Sequence, residues 1–226
     1  MRRALVLSLS LLLAACATRP PGLPTQPNEK EWAALQAEYD TIQSLRAALP
    51  QPPAGATRRD LIDLHLQSQK QLEPRLEPFL ARVREYLDRT GDARAARLLA
   101  NEWIRLGDAY GNVLARHDRA IELYRRAAQI DPANTAVQAR IDQAERRRYV
   151  SMDDFAGIRS GMREAEVERR IGIPREDWIK HLREGDRLFS VWIYPRSDGG
   201  AAAVYFENGV VYHTNWNAAA PGQASP

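Results

Sequence analysis

The sequence predicts an α+β protein: an all-α array of helical hairpins over residues 29–149, followed by a small domain over residues 150–218 that combines a helix with an antiparallel β-meander. Two observations support this prediction. Between residues 29 and 148, apolar residues recur at spacings of three and four, which is the period of helices with one buried face. After Pro174 the period changes to two, in segments rich in β-branched and aromatic residues, as is typical of strands.

The chain begins with the features of a signal peptide. A basic start, Met-Arg-Arg, precedes an apolar run over residues 4–13, which has the length of a signal-peptide core and is too short to span a membrane. The next residues, Leu-Ala-Ala-Cys, end at Cys16 and resemble a bacterial lipobox, in which a signal peptidase cuts before a lipidated cysteine. Residues 1–15 are therefore predicted to be removed and Cys16 to carry the lipid. The alternative is an ordinary signal peptide with a chance cysteine.

The residues after Cys16 bear on location and partners. In lipoproteins of this kind an aspartate after the cysteine retains the protein at the inner membrane, so Ala17 implies the outer membrane, with the protein facing the periplasm. Residues 16–28 are rich in proline and form a linker, and residues 219–226 are predicted to be a disordered tail. The formal net charge of +3 falls to +1 when the two arginines of the signal peptide are removed. A nearly neutral secreted chain without a recognition motif is not expected to bind nucleic acid.

Caps and breaks divide the helical region. Asn28 is predicted to cap the first helix, with Glu31 completing a capping box. Pro74 and Pro78 lie within the next helical pattern and are expected to kink or divide it. Gly91 then ends this segment, and Asp92 is predicted to cap the helix that follows.

Residues 100–133 resemble one degenerate tetratricopeptide repeat. The matching positions are Trp103, Leu106, Gly107 and Tyr110 in the first helix and Ala120, Tyr124, Ala127 and Pro132 in and after the second. In the family, the tyrosine and the first of these alanines are nine residues apart. Tyr110 and Ala120 are ten residues apart, so one residue is expected to be inserted in the turn around residues 115–118. The turn glycine of the family is replaced by Leu114 or Ala115. Such repeats need about three units, so the upstream helices would supply neighbours, and the array would bind a protein partner.

The C-terminal segment predicts a short helix docked on a meander. The helix would carry Val167 and Ile171 on one face and end at Gly172. Strands are predicted over residues 188–194, 203–206 and 210–213, with a turn over residues 197–200. The last two strands are joined by Asn-Gly at residues 208–209, a strong signal for a hairpin with positive φ.

This segment resembles the SmpA/OmlA family of lipoproteins, which includes the BamE-like subunit of the outer-membrane β-barrel assembly machinery. The resemblance covers residues 155–216 and includes Gly161, Met162, Val167, Gly172, Pro174, Trp192, Tyr194, Phe206, Asn208 and Gly209. Arg163 stands where the family prefers a threonine or serine as helix cap, and Ser160 is the candidate substitute. The motif residues are predicted to be core, turn and helix-end residues, with no chemical role.

No catalytic or metal-binding constellation is present in the sequence. The histidines are His65, His117, His181 and His213, without metal-site spacing, although His181 and His213 could approach each other on the sheet. The pair Asp153-Asp154 after Ser151 is interpreted as the start of a helix capped by Ser151, and Arg146–Arg148 as the solvated end of a helix. We therefore expect no enzyme activity, no catalytic residue, no metal, no cofactor and no small-molecule substrate.

The function predicted from these features is that of a lipid-anchored outer-membrane lipoprotein, a scaffold for protein–protein interaction in envelope or outer-membrane protein assembly. The barrel-assembly machinery is a candidate partner. The alternative is an inhibitor-like or regulatory module acting on a periplasmic enzyme, because β-lactamase-inhibitor-like folds share the helix-plus-meander topology. Only Tyr149 and Val150 separate the two modules, so both are expected to pack between them and fix their angle; a hinge is the competing interpretation.

Cys16→Ala is predicted to abolish membrane retention while leaving the fold intact, because Cys16 precedes both modules. The measurement is fractionation of cells that express the full chain, followed by a salt wash of the membranes. The wild-type chain should stay with the outer membrane and the variant should be recovered in the soluble fraction. A variant that remains in the washed outer membrane would show that the lipobox interpretation is wrong.

Overall fold

The structure is a computed structural model that describes residues 26–56 and 58–221. Helices precede a four-stranded antiparallel sheet, which confirms the predicted α+β class. The helices are α1 (Glu29–Ala47), α2 (Arg58–Thr90), α3 (Ala93–Asp108), α4 (His117–Ile130), α5 (Ala136–Arg148), α6 (Met152–Ala156) and α7 (Glu164–Ile171). The strands are β1 (Ile179–Glu184), β2 (Arg187–Pro195), β3 (Ala201–Glu207) and β4 (Val210–Ala218). In these ranges, no helix has the length and apolar character needed to cross a membrane.

The first helical core lies between α1, α2 and α3, around the fully buried Phe79, Val83 and Tyr86 of α2. The predicted cap of α1 is confirmed, since Oδ1 of Asn28 accepts hydrogen bonds from the backbone N–H groups of Lys30 and Glu31. The Asp92 cap of α3 is also confirmed: its carboxylate accepts from the Arg94 N–H and from the Tyr86 hydroxyl. This burial of α1 and α3 against α2 is the main stabilisation of the first three helices.

Of the predicted kink or division at Pro74 and Pro78, the division is wrong, because α2 is one helix from Arg58 to Thr90. Pro74 and Pro78 are four residues apart on an exposed face. The carbonyl that Pro78 cannot bond is that of Pro74, and on an exposed face water can solvate it. The apolar contacts of Phe79 and the following turns then hold the helix together.

The second helical core joins α3, α4 and α5. Its buried residues are small or β-branched in large part, so the helices approach closely: Ala100, Ile104, Ala120, Ile121, Tyr124, Ala127, Val137, Ile141 and Ala144. Gly107 marks the closest approach, since a Cβ at this position would stand 2.5 Å from Cε1 of Tyr124. The Tyr124 hydroxyl reaches past it to donate to Oδ1 of Asp108 at 2.8 Å.

The chain between α3 and α4 is irregular just before residues 115–118, where the tetratricopeptide-like pattern predicts one inserted residue. The chain forms a π-helical turn over Ala109–Val113, which holds one residue more than an α-helical turn. The Arg116 N–H then donates to the Tyr110 carbonyl at 2.8 Å, and Ala115 takes a left-handed φ of 52°. The π-helical turn thus precedes residues 115–118, and Ala115 occupies a conformation that favours glycine.

The sheet has the order β1-β2-β3-β4, with every neighbouring pair antiparallel. The three predicted strands are present, but the prediction missed β1, which precedes them. Five of its six residues are exposed, and it is rich in charge, so alternation of apolar and polar residues is weak. A two-residue loop with φ of 60° at Gly185 turns β1 back onto β2. This glycine is the signal in the sequence that could have revealed the strand.

The predicted hairpin at residues 208–209 is confirmed, with φ of 50° at Asn208 and 77° at Gly209. The side-chain oxygen of Asn208 accepts a hydrogen bond from the Leu188 N–H. The backbone N–H of Asn208 donates to the Leu188 carbonyl at 2.7 Å. The chain before α7 runs beside β4: the Gly161 N–H donates to the Val211 carbonyl, and the Val211 N–H to the Met162 carbonyl. These bonds cover part of the β4 edge and position α7 over the sheet.

Helices α6 and α7 are capped in two different ways. Ser151 caps α6 as predicted, because its Oγ accepts from the Asp154 N–H at 3.1 Å. At α7 the suggested role of Ser160 is wrong, since its hydroxyl bonds to the Val211 carbonyl. Glu166 satisfies the Arg163 N–H instead, at 2.8 Å. Glu166 thus supplies the reciprocal half of a capping box, and its negative charge lies in the first turn of the helix.

The joint between the modules is held by backbone and side-chain contacts. The Val150 N–H donates to the Pro195 carbonyl at 3.0 Å, and Val150 packs on the core of the C-terminal domain. The expectation for Tyr149 is only partly met, because its side chain is 36% exposed and stacks against Arg148 instead of being buried. A second tie is made by Arg58 at the start of α2, whose Nη1 donates to the Pro174 carbonyl at 2.6 Å.

Ala115→Gly is predicted to raise the free energy of unfolding by about 0.5–1 kcal/mol, because glycine takes the left-handed conformation without a Cβ clash. The measurement is chemical denaturation of the variant and of Ala139→Gly. Ala139 lies on the exposed face of α5, where glycine should lower the free energy by about 1 kcal/mol. Effects of the same sign at both positions would contradict the strained turn.

Candidate functional site

The residues of the SmpA/OmlA-like motif occupy structural positions, as predicted. Val167, Trp192, Tyr194 and Phe206 are buried in one cluster, and Met162 packs against it. The remaining motif residues form turns and helix ends: Gly161, Gly172, Asn208 and Gly209 have positive φ, and Pro174 follows α7. The Tyr194 hydroxyl donates to the Gly172 carbonyl at 2.9 Å, which ties the end of α7 to β2. These contacts place the motif residues in the core, the turns and the helix ends of the domain.

The tetratricopeptide-like residues also come together. Ala120, Tyr124 and Ala127 are buried in the second core, with Trp103 and Tyr110 packed against it. Leu106 is half-buried, Gly107 contacts the Tyr124 ring, and Pro132 lies exposed in the turn after α4. Arg126 lies over the Trp103 ring at 5.6 Å. The structure therefore places these residues in one helical hairpin, with packing roles.

Other predicted sites are separated or lie elsewhere. Cys16 and the predicted signal peptide and first part of the linker fall outside the described residues. His181 and His213 do not meet, because β1 and β4 are the opposite edges of the sheet, roughly 14 Å apart at the spacing of three strand pairs. Within residues 26–56 and 58–221, no group of three or more His, Cys, Asp or Glu side chains could hold a metal ion.

A cleft of about 810 Å³ lies where the helical region meets the C-terminal domain, and we refer to it as the inter-module cleft. It is enclosed by the start of α2, the chain between α3 and α4, the end of α5, and the end of α7. Seven arginines line it against three carboxylates, those of Asp118, Asp154 and Glu168; the arginines are Arg58, Arg146, Arg147, Arg148, Arg169, Arg170 and Arg175. The lining is strongly cationic.

Three of these arginines are engaged by the protein itself. Arg170 donates to the Asp154 carbonyl at 2.8 Å and packs over Gly157, where an added Cβ would collide with its guanidinium. Arg175 forms an ion pair with Asp177, and Arg148 stacks on Tyr149. Arg146, Arg147 and Arg169 carry no ion pair within the part of the chain that the structure describes. Their charges are therefore available to a ligand.

Arg58 is the most constrained cation of the inter-module cleft. Its Nη1 is bonded to the Pro174 carbonyl, while Nη2 is buried without a hydrogen-bond partner among the described residues. Burial lowers the pKa of Arg58, and the charges of Glu176 and Glu168 oppose that effect. An arginine remains protonated throughout the physiological range, so this wall of the cleft holds a permanent, incompletely paired positive charge.

His117, at the start of α4, faces the same cations. Burial lowers the pKa of His117 to about 4, and the charge of Arg147 acts in the same direction. Asp118 opposes these effects, and Arg58 adds a further lowering. The imidazole is therefore neutral at pH 7, and the positive charge of the cleft comes from arginines alone.

A second surface lies on the outer face of the sheet, away from α6 and α7. Leu182, Phe189, Tyr205 and Tyr212 form an apolar row across the strands, which we call the outer row. Leu182 is 58% exposed and Tyr212 is 50% exposed. The Phe189 and Tyr212 rings are 6.2 Å apart in an edge-to-face arrangement. Phe189 and Tyr205 are half-buried, with the Arg187 guanidinium 4.8 Å from the Phe189 ring centroid, so Leu182 and Tyr212 are the exposed part of the row. Exposed aromatic and aliphatic side chains are typical of surfaces that bind proteins.

Neither surface is predictable from local patterns in the sequence. The arginines of the cleft come from positions 58, 146–148, 169–170 and 175, and only the run at 146–148 is conspicuous in the sequence. That run has the pattern of the solvated end of a helix, and only its convergence with α2 and α7 reveals the cleft. The outer row depends on β1 and on the β-bulge at Tyr205, neither of which is visible as a pattern of apolar residues.

The folded protein is predicted to lose stability as the pH falls from about 6.5 to about 4, because the unfolded chain protonates His117 in this range and the folded protein does not. Allowing for solvent screening of a half-buried group, the contribution is roughly 2 kcal/mol. It is measured as the difference between the wild-type protein and His117→Gln in urea denaturation at pH 7 and pH 4. Parallel pH profiles for the two proteins would contradict the low pKa.

The chain was compared with protein-family models, with curated proteins and with solved structures, and none of them matches. The two surfaces and the fold described above are therefore the basis on which a function can be assigned.

Proposed function

We propose that this protein is a lipid-anchored lipoprotein of the outer membrane, held by Cys16 and facing the periplasm, and that it acts as a scaffold for protein–protein interaction in envelope assembly. The lipobox-like sequence supports the anchor and the location. The resemblance to the SmpA/OmlA family supports assembly of outer-membrane proteins as the process. The protein acts by binding and not as an enzyme.

The observation that carries the scaffold role is the outer row. An exposed apolar row on a folded sheet is costly in water, and covering it with a partner removes that cost. Leu182 and Tyr212 stand at its two ends, on β1 and β4, so a partner that contacts both covers the whole width of the sheet. Tyrosine and phenylalanine are also among the residues that contribute most to protein interfaces.

The helical region adds a second binding module. Its α3–α4 hairpin has the close helix contact at Gly107 and the buried alanines that a tetratricopeptide-like hairpin requires. Helices α1, α2 and α5 cover the two sides of this hairpin, in the place of neighbouring repeats. We therefore propose a short, capped repeat-like array in which the helices present one surface and the sheet another.

The scaffold role predicts that a photo-crosslinking amino acid at position 212 captures an outer-membrane assembly protein in cells. Leu66 on α2 is the matched control, because it is 51% exposed and Tyr212 is 50% exposed. Adducts are identified by mass spectrometry after purification from detergent extracts of cells expressing the full chain.

Three outcomes can be distinguished in this experiment. A barrel-assembly subunit bound at position 212 and absent at position 66 supports the scaffold. A periplasmic hydrolase as the specific adduct would replace the scaffold with the regulatory alternative. Equal labelling at the two positions would show that the outer row binds no partner.

A further inference from the structure

The inter-module cleft is a separate site from the outer row. Tyr194 lines it from the sheet face that α6 and α7 cover, whereas the outer row lies on the opposite face. The walls of the inter-module cleft come from both modules, so the cleft exists only because Val150 and Arg58 tie the modules together. The proposed scaffold role does not use this cleft.

The charge of the cleft defines the chemistry of its occupant. Arg58, His117 and Arg147 all line the cleft, so the two guanidinium groups border the same space. Arg147 is exposed and without an ion pair, and Arg58 has a buried nitrogen without a hydrogen-bond partner within the described ranges. Two guanidinium groups in this arrangement suit carboxylate oxygens, which accept hydrogen bonds from arginine in pairs.

The size and the apolar part of the lining favour a peptide over a single anionic group. A volume of about 810 Å³ is near the upper end for ligand clefts and exceeds what one phosphate needs. Leu61, Ile173 and Trp178 also line the cleft, and a purely ionic ligand would make no use of these apolar side chains. An extended peptide that alternates acidic and apolar side chains uses both kinds of lining.

The residues of this sequence that lie outside the described ranges do not offer an acidic occupant for the cleft. Residues 1–25 and 222–226, which lie outside the described ranges, contain no aspartate and no glutamate. They cannot supply the acidic side chains that the arginines require. We propose that the inter-module cleft binds an extended acidic segment of a partner protein, whose carboxylates are held by Arg58 and Arg147. This inference rests on the proposed function in one respect: both take the ligand to be a protein.

The test uses the full chain in detergent and a fluorescent peptide that alternates glutamate with leucine, with a second peptide in which glutamine replaces each glutamate. Fluorescence anisotropy should show binding of the glutamate peptide alone, weakened by salt. Arg147→Gln should weaken binding about tenfold, the effect of losing a charge-assisted hydrogen bond. Arg97→Gln on α3 removes the same charge from an exposed position outside the cleft and should leave binding unchanged.

Arg58→Gln is the second variant, and its thermal unfolding is measured alongside because Arg58 also bonds to Pro174. Arg147 has no such structural bond, so its variant tests the site even if Arg58→Gln destabilises the protein. Equal loss of binding in Arg147→Gln and Arg97→Gln would overturn the proposal.

Two other results would also overturn it. Vesicles of anionic lipid that bind through Arg147, with no binding of the peptide, would assign the cleft to a membrane surface. A dimer that Arg147→Gln dissociates, detected by sedimentation, would make the occupant a second copy of this chain. Peptide binding with no specific adduct at position 212 would refute the scaffold and leave the cleft proposal standing.

Discussion

The short joint between α5 and α6 determines what the two modules can do together. The Val150 N–H is bonded to the Pro195 carbonyl at the end of β2, and Arg58 reaches the Pro174 carbonyl from the start of α2. These two ties are far apart in sequence, one in the joint after α5 and one at the start of α2, so rotation about one is opposed by the other. A long Gly/Ser-rich linker would leave the modules free to separate. The geometry of the cleft is thus a consequence of a two-residue connection.

Holding the modules together has an electrostatic cost, because it brings arginines of α2, α5 and α7 close to one another. The structure offsets part of this cost: Arg170 is bonded to a carbonyl, Arg175 is paired with Asp177, and Glu168 acts on Arg58. The neutral imidazole of His117 adds no further charge. The arginines that stay unpaired create a preorganised positive field, which attracts acidic partners and raises their rate of association.

Local signals in the sequence predicted the elements whose chemistry is local. The Asn28, Asp92 and Ser151 caps depend on residues two or three positions away, and the 208–209 hairpin depends on the backbone freedom of asparagine and glycine. The failures involve tertiary context. Strand β1 is stabilised by pairing with β2 and not by its own apolar pattern, and α2 continues past its prolines because its buried face is packed. The cleft could not be predicted, since its arginines are distant in sequence and meet only in the fold.

The two surfaces differ in the physics by which they bind, and the sheet keeps them apart. The outer row is apolar, so its contribution to affinity is insensitive to salt, whereas the cleft attracts charge and weakens as salt screens its arginines. One layer of sheet separates Tyr212 on the outer face from Tyr194 on the inner face, so an extended segment can occupy the cleft while a folded partner covers the row. If one partner makes both contacts, it must wrap around an edge of the sheet. The edge at β1 is exposed, whereas the start of β4 is covered by the residues before α7. The β1 edge is therefore the accessible route. Two separate partners need no such path, and the fixed joint would then hold them at a constant distance.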